Sequence, residues 1–442
     1  MALDLSRFFK ACNPAKTLDM GDEGDRKYYI DFAPVRGGKI IGELKRTISR
    51  ISPEDPTCQL FTGHIGCGKS TELLRLKNEL EQEGFYVVYF ESSQDLDMAD
   101  VDISDILLAI THQVSDNLET MGIKLKPSYF SNLFREVGDF LQTPIDLSAE
   151  AELSLGIAKL TAKTQDNPKL RNQLRQYLEP RAEGILRAIN EEVLARANRE
   201  LTKRGQQGLV VIVDNLDRVD NRPMPSGRSQ PEYLFIDRGA QLRRLNCHVV
   251  YTIPLALLFS DEYETLKNRL GGGVAPKVLP MVPARDREGA PFETGMSLLR
   301  QAILARAFPD LPEAERLAAL DRIFDSQDTL DRLCRVSGGH PRTLLGLVYR
   351  CLQQEDPPLT RDSLEHAIRD YRDDLVLSID NNEWELLLQV AGGEGIRGEE
   401  DYQRLLRSML VYEYRDARGR WFGINPALEE TERFQAWKAS RG

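Results

Sequence analysis

One run of eight residues, Gly63-His64-Ile65-Gly66-Cys67-Gly68-Lys69-Ser70, limits the architectures open to this chain more than any other feature. Glycines followed by a Lys-Ser pair let backbone N–H groups turn inward around an anion. A helix beginning near Lys69 points its positive dipole end at the same place. Such a loop belongs between a strand and a helix, and both flanks comply. An apolar run opens at Gln59, and Leu73, Leu74, Leu76 and Leu80 recur at helical spacing before Gly84, a helix stop. Phe85 to Phe90 reads as the next strand. A βαβ unit follows, and with it an α/β chain whose parallel sheet is covered on both faces.

The rest of the chain divides around that unit. Residues 1–50 read as a lead-in segment, with Tyr28-Tyr29-Ile30-Asp31-Phe32, then Arg36-Gly37-Gly38, then a helical stretch from Ile40 to Ile51. Residues 51–285 read as the sheet core. It carries a helical insertion at about 100–205, where Leu107, Leu108, Ile110 and Val114 share a face and a charged helix covers about Asn190 to Arg204. Inside the insertion Ile145, Leu147, Ala149, Ala151, Leu153, Leu155 and Ile157 alternate, which reads as a strand or hairpin and equally as a helix begun after Pro144. Strands return at Leu209 to Val213 and His248 to Thr252, separated by a helix holding Ala240, Leu242 and Leu245. Residues 286–355 read as a helical lid, and Pro357-Pro358 as a hinge. Residues 356–442 end in two short strands, Met409 to Tyr414 and Trp421 to Ile424, around a polar turn from Arg415 to Arg420; helices followed by one hairpin describe a winged helix.

Composition narrows the partners. Of 442 residues, 41% are hydrophobic and 29% charged, which fits a globular chain and excludes a disordered or fibrous one. A formal charge of -11 argues against a nucleic acid gripped by the whole surface. The six cysteines include no CxxC pair and read as reduced core thiols. Neither a signal peptide at Met1 to Arg7 nor an apolar span of about 20 residues is visible, so the expected location is cytoplasmic, away from membranes.

The chemistry follows from the eight-residue run, which has the Walker A spacing. Gly63, His64, Ile65, Gly66, Cys67, Gly68, Lys69, Ser70 and Thr71 are the expected phosphate-contacting segment. Lys69 would reach the β and γ phosphates, and Ser70 would give its hydroxyl to Mg²⁺. Backbone holds phosphate in such a loop, so the His64 and Cys67 side chains read as tolerated. Asp214, closing the apolar strand Val210-Val211-Ile212-Val213, is the second expected metal residue. Asn215 follows where many such enzymes place an acid, and Asp217 comes two residues later; it reads as orienting the attacking water, or as a cap or salt bridge. No guanine-reading Asn-Lys-x-Asp run is present, which favours ATP.

Together the Walker A run, Asp214-Asn215-Leu216-Asp217 and Gly338-Gly339-His340-Pro341-Arg342-Thr343-Leu344-Leu345 resemble the STAND branch of AAA+-related ATPases. Origin-recognition and KAP-type ATPases are similar. The resemblance implies a P-loop NTPase core with a parallel sheet, then a helical lid and a C-terminal winged helix, with ATP and Mg²⁺ as cofactors. It puts Pro341 and Arg342 of the lid at the nucleotide, with Arg342 as a sensor arginine. Thr252 falls at a sensor position where many STAND proteins carry arginine, a departure. Arg238, Arg243 and Arg244 fall where oligomeric relatives donate an arginine in trans, and read equally as a solvated helix face. Arg36-Gly37-Gly38 falls near the base, or is a simple turn.

What the resemblance implies for function is a hydrolysing switch that couples nucleotide state to conformation or oligomerisation in signalling, defence being one such setting. The effector and sensor modules usual in that branch are not visible, so the expected partners are further copies of the chain or a separate effector or sensor protein, unless the helical insertion at about 100–205 is itself the recognition surface. Two rival readings stand beside it. A DNA-binding ATPase would use Arg415, Arg418 and Arg420 of the hairpin turn, against the acidic Glu413, Asp416, Glu399, Glu400 and Asp401 nearby. A slow nucleotide-binding scaffold would follow from Asn215 in place of an acid.

Overall fold

The computed structural model describes residues 3–125, 128–141, 153–165, 167–393, 395–396 and 400–441. Its centre is a five-stranded parallel sheet of β1 (Cys58–Gly63), β2 (Tyr86–Glu91), β3 (Leu209–Asp214), β4 (His248–Thr252) and β5 (Lys277–Leu279), ordered β2-β3-β4-β1-β5. Every residue of β3 is buried. Its alternation divides the core in two: Leu209, Val211 and Val213 face the helical insertion, and Val210 and Ile212 face the helix that follows β1. β5 has three residues and was not visible in the sequence, because so short a run carries no period of its own.

The helices that matter for the site are α1 (Leu5–Ala11), α2 (Lys69–Gln82), α3 (Ile103–Thr120), α4 (Glu293–Ala307), α5 (Pro341–Gln354) and α6 (Glu400–Arg407). α2 follows β1 directly and is stopped by Gly84, whose φ of +90° takes the left-handed conformation glycine adopts at a helix end. The lead-in segment is not free-standing. Phe8 of α1 and Cys12 join the hydrophobic core around α4 and α5, and the buried Arg306 of α4 donates Nε to the Ala11 carbonyl at 3.0 Å.

One open alternative is decided for its described part, and one expectation needs correction. Leu153, Leu155 and Ile157 lie in a helix, Leu153–Gln165, where Leu153 and Ile157, one turn apart, are buried and Leu155 is exposed. An i, i+4 pair satisfies a helix as well as a strand, and here the helix packs on α3. Ile145 to Ala151 fall outside the described residues. The polar turn expected from Arg415 to Arg420 shrinks to two residues, because β6 (Val411–Asp416) and β7 (Gly419–Ile424) run longer than their apolar stretches, with Asp416 opposite Gly419. This hairpin is not a free wing: Tyr412, Tyr414 and Trp421 pack into the same core as α2. Helix Asn381–Ala391, α6, the hairpin and helix Glu432–Ala439 share a smaller core of their own. Among the described residues no helix is long and apolar enough to cross a membrane.

Candidate functional site

The loop between β1 and α2 has positive φ at Gly63, Gly66 and Gly68. At Gly66 a Cβ would stand 2.6 Å from His340 Nε2 and 2.9 Å from Arg342 Cβ, so glycine there lets the start of α5 close against the loop. Lys69 opens α2 and is buried. Its ammonium donates to the carbonyls of Gly63 at 2.9 Å and His64 at 2.8 Å and pairs with Asp217 Oδ2 at 2.9 Å. All three of its donors are taken. Burial by itself would lower the Lys69 pKa; the Asp217 carboxylate outweighs it and the pKa is raised, which keeps the side chain a cation. The other Asp217 oxygen, Oδ1, is buried without a hydrogen-bond partner.

Asp214, at the end of β3, stands behind Ser70. Its carboxylate accepts the Tyr89 hydroxyl at 2.8 Å, the Asn215 N–H at 2.7 Å and a bond from the Ser70 side chain. Burial, then the nearby Asp217 charge, raises its pKa while those donors pull it back. Thr252 does not face the cleft. Its hydroxyl is fully buried, donating to the Val213 carbonyl at 3.3 Å and accepting the Leu216 N–H at 3.0 Å, so it fixes the turn that presents Asp217.

The loop opens onto a cleft. One end is polar, lined by Gly66 to Ser70, Asn215, Asp217, Arg218, Pro341 and Arg342, with Ile65 and Thr71 beside them. The rest is more apolar and aromatic, lined by Pro14 to Leu18, Tyr28 to Ile30 and Phe32 of the lead-in segment and by Ala302, Leu344 and Leu345 of α4 and α5, with Lys16, Glu72 and Arg306 as its charged members. Arg36 joins the two ends. It is 3% exposed, donates Nη2 to the Cys67 carbonyl at 2.9 Å, lies over the Phe32 ring and leaves Nε without a partner. Cys67 turns its thiol to the Leu279 carbonyl, away from the cleft.

Two histidines brace the loop from behind. The His64 ring points away from the cleft, and its Nε2 accepts the Glu413 N–H of β6 at 2.9 Å. His340 lies 2.9 Å from the Ile65 carbonyl through Nε2 and 2.7 Å from the Thr343 hydroxyl through Nδ1. Burial pushes both pKa values down to about 3, so the rings are neutral, and those contacts fix a proton on His340 Nε2. Tyr412 sits between them, its ring centroid 5.8 Å from each.

Of the residues expected from sequence, the segment Ile65 to Thr71 meets Asp217, Pro341 and Arg342 at the polar end, while Gly63 and His64 supply carbonyls to Lys69. The three arginines considered for donation in trans lie apart from the cleft. Arg238 pairs with Glu179 and the Tyr233 hydroxyl, Arg244 pairs with Glu183 at 2.8 Å, and the Arg243 guanidinium lies beside Gly272. Arg218 went unnoticed in the sequence although it follows Asp217 directly. It lines the polar end beside Arg342, whose pKa is lowered by burial and then by the Arg218 charge. Among the described residues neither arginine forms an ion pair.

Residues 38–226 match the model of the KAP family P-loop domain. No curated protein matches the chain. Among solved structures, Cdc6p from Pyrobaculum aerophilum aligns at 12% identity over 94% of this chain and 98% of its own, with a TM-score of 0.36. The Aeropyrum pernix ORC1 protein, solved in complex with DNA, aligns at 15% identity over 89% and 93%, TM-score 0.37. The Thermotoga maritima RuvB Holliday junction branch migration motor aligns at 13% identity over 92% and 95%, TM-score 0.35. The glycine loop between β1 and α2, the five-stranded parallel sheet and the match over residues 38–226 together give the chain the fold of a P-loop NTPase domain.

Proposed function

We propose that the cleft binds Mg-ATP and hydrolyses it, and that the chain works as a nucleotide-operated switch of the STAND or AAA+ type. The observation that carries this reading is the convergence of Lys69, Arg218 and Arg342 on one end of a cleft walled by both the sheet core and α4–α5. In a chain of net charge -11, two arginines without carboxylate partners at that end fit a polyanion. A triphosphate that reaches Lys69 has to displace one of its three acceptors. Asp217 is the one able to leave, since the carbonyls of Gly63 and His64 belong to the loop itself. Ser70 and Asp214 offer the hard oxygens Mg²⁺ accepts when phosphates supply the rest of its shell, and the ion would neutralise charge on the β and γ oxygens. The apolar end suits a base, with adenine favoured by the absence of a guanine signature.

A ligand held by both walls favours one arrangement of core and lid, and loss of the γ phosphate would release Arg218 and Arg342. In this reading residues 286–355 are the lid and 356–442 a winged-helix unit, and the output is a cytoplasmic oligomer or a contact with a separate effector protein. DNA is the weaker partner. Arg420 is paired with Glu413 and Arg418 with Glu288, while the Arg415 stem lies against Gly37.

The test is turnover of Mg-ATP by the purified chain, together with its mass by light scattering in ADP and in a non-hydrolysable ATP analogue. Turnover with assembly only in the ATP analogue supports the switch; absence of any nucleotide binding contradicts it.

A further inference from the structure

Hydrolysis needs a carboxylate able to hold the attacking water, and neither of the two nearest the loop presents an accessible, unengaged oxygen. Asp217 Oδ2 holds Lys69 at 2.9 Å while its Oδ1 is buried without a partner, and Asp214 is held by Tyr89, Ser70 and the Asn215 N–H. The position after Asp214 is an amide, Asn215, with no useful basicity.

A third carboxylate stands beside them. Glu91 closes β2, the sheet neighbour of β3, and the register sets it opposite Asp214. The two strand ends are pinned together: Ser92 Oγ donates to the Asp214 carbonyl at 2.7 Å, and Asn215 Nδ2 to Ser93 Oγ at 3.3 Å. Glu91 lines the groove that leads from Ser70, Asn215, Arg218 and Arg342 toward His340 and α5. Among the described residues it forms no ion pair, and its carboxylate accepts a hydrogen bond from Gln94 at 3.2 Å.

We infer that Glu91, and not Asp217, is the carboxylate that positions and deprotonates the attacking water, an inference that rests on the ATP-hydrolysing reading above. The water oxygen forms a bond to the γ phosphorus as the bond from that phosphorus to the β–γ bridging oxygen breaks. The electron pair of the broken bond stays on the β phosphate of ADP, and the water proton passes to a Glu91 Oε and from there to solvent. Asp217 acts on Lys69, as the acceptor that phosphate replaces.

The experiment compares wild type, Glu91→Gln and Glu91→Asp, measuring affinity for a fluorescent ATP analogue, thermal unfolding, turnover, and the ATP-to-ADP ratio of nucleotide recovered from the protein. Glu91→Gln is expected to bind within about twofold of wild type and unfold at the same temperature. Its turnover should fall about 10²–10⁴-fold and its bound nucleotide remain ATP. Glu91→Asp keeps the acid and should fall between the two. Turnover of Glu91→Gln within about threefold of wild type overturns the assignment, as does a loss of affinity equal to its loss of turnover. A wild-type chain that binds ATP without turning it over removes the ATPase reading itself, and this assignment with it.

Discussion

The two ends of the cleft are built in opposite ways. The polar end, where the proposed reading puts the phosphates, comes from one contiguous loop plus a strand end and a helix start, and its chemistry is charge and backbone: Lys69 fully coordinated, three glycines at positive φ, Arg218 and Arg342 close by. The other end, where the proposed reading puts the base, comes from segments nearly 300 residues apart in sequence, Pro14 to Phe32 and Ala302 to Leu345, and is mostly apolar and aromatic, with Lys16, Glu72 and Arg306 as its charged members. Affinity should therefore be concentrated at the first end. Selectivity for a base, and the coupling of ligand to lid position, should be concentrated at the second.

Replacing Lys69 is the strongest way to break the contrast. Lys69→Ala should lower affinity for Mg-ATP and for tripolyphosphate alike by at least about 100-fold, through loss of charge-assisted contacts of about 1.5–3 kcal/mol each. It also strands the buried Asp217 carboxylate, so the fold should lose about 3–5 kcal/mol in denaturant unfolding. Adding Asp217→Asn should restore most of that stability and none of the affinity, and a double variant no more stable than the single one would show that the pair does not work this way.

The support behind the phosphate loop gives the next effect. Glu413, whose backbone N–H holds His64, has its side chain buried, and burial pushes its pKa up to about 7 against the opposing pull of Arg420. A carboxyl with a raised folded-state pKa favours the fold in its protonated form. That contribution is present below about pH 4.5 and is lost as pH rises through about 7. Glu413→Gln should therefore unfold like wild type near pH 4.5 and be more stable at pH 8 by up to about 3 kcal/mol, measured by thermal melts across pH.

Smaller changes sharpen the comparison. Gly66→Ala places a Cβ at a positive φ and 2.6 Å from the His340 ring, and should cost about 1–3 kcal/mol while moving α5 off the loop. Ile30→Ala trims the apolar end, and should weaken ATP by about 1 kcal/mol, roughly fivefold, with tripolyphosphate binding unchanged in calorimetric titration. If both ligands lose equally, the division of labour between the two ends is wrong.

The same contrast explains what the sequence could reveal. The loop, β1, α2 and β3 are visible because spacing, period and chemistry coincide within short stretches, and Asp214 and Asp217 follow from the strand they end. The base end is not visible: nothing local in Tyr28-Tyr29-Ile30-Asp31-Phe32 says that Arg306, hydrogen-bonded to the Ala11 and Tyr28 carbonyls, will fold it against α4. Glu91 ends an ordinary apolar strand, and only the register with β3 brings it to Asp214. The roles expected of Thr252 and of Arg238, Arg243 and Arg244 came from position along the chain, which does not say which way a side chain turns. Thr252 bonds its neighbouring backbone, and Arg238 and Arg244 find carboxylates on the insertion.

The most direct test of the central claim is a calorimetric titration of Mg-ATP into wild-type protein and into Lys69→Ala under the same conditions. Saturable one-to-one binding to wild type, weakened at least about 100-fold in the variant, is the result this account predicts. Equal binding to both proteins would contradict it, as would no binding to wild type.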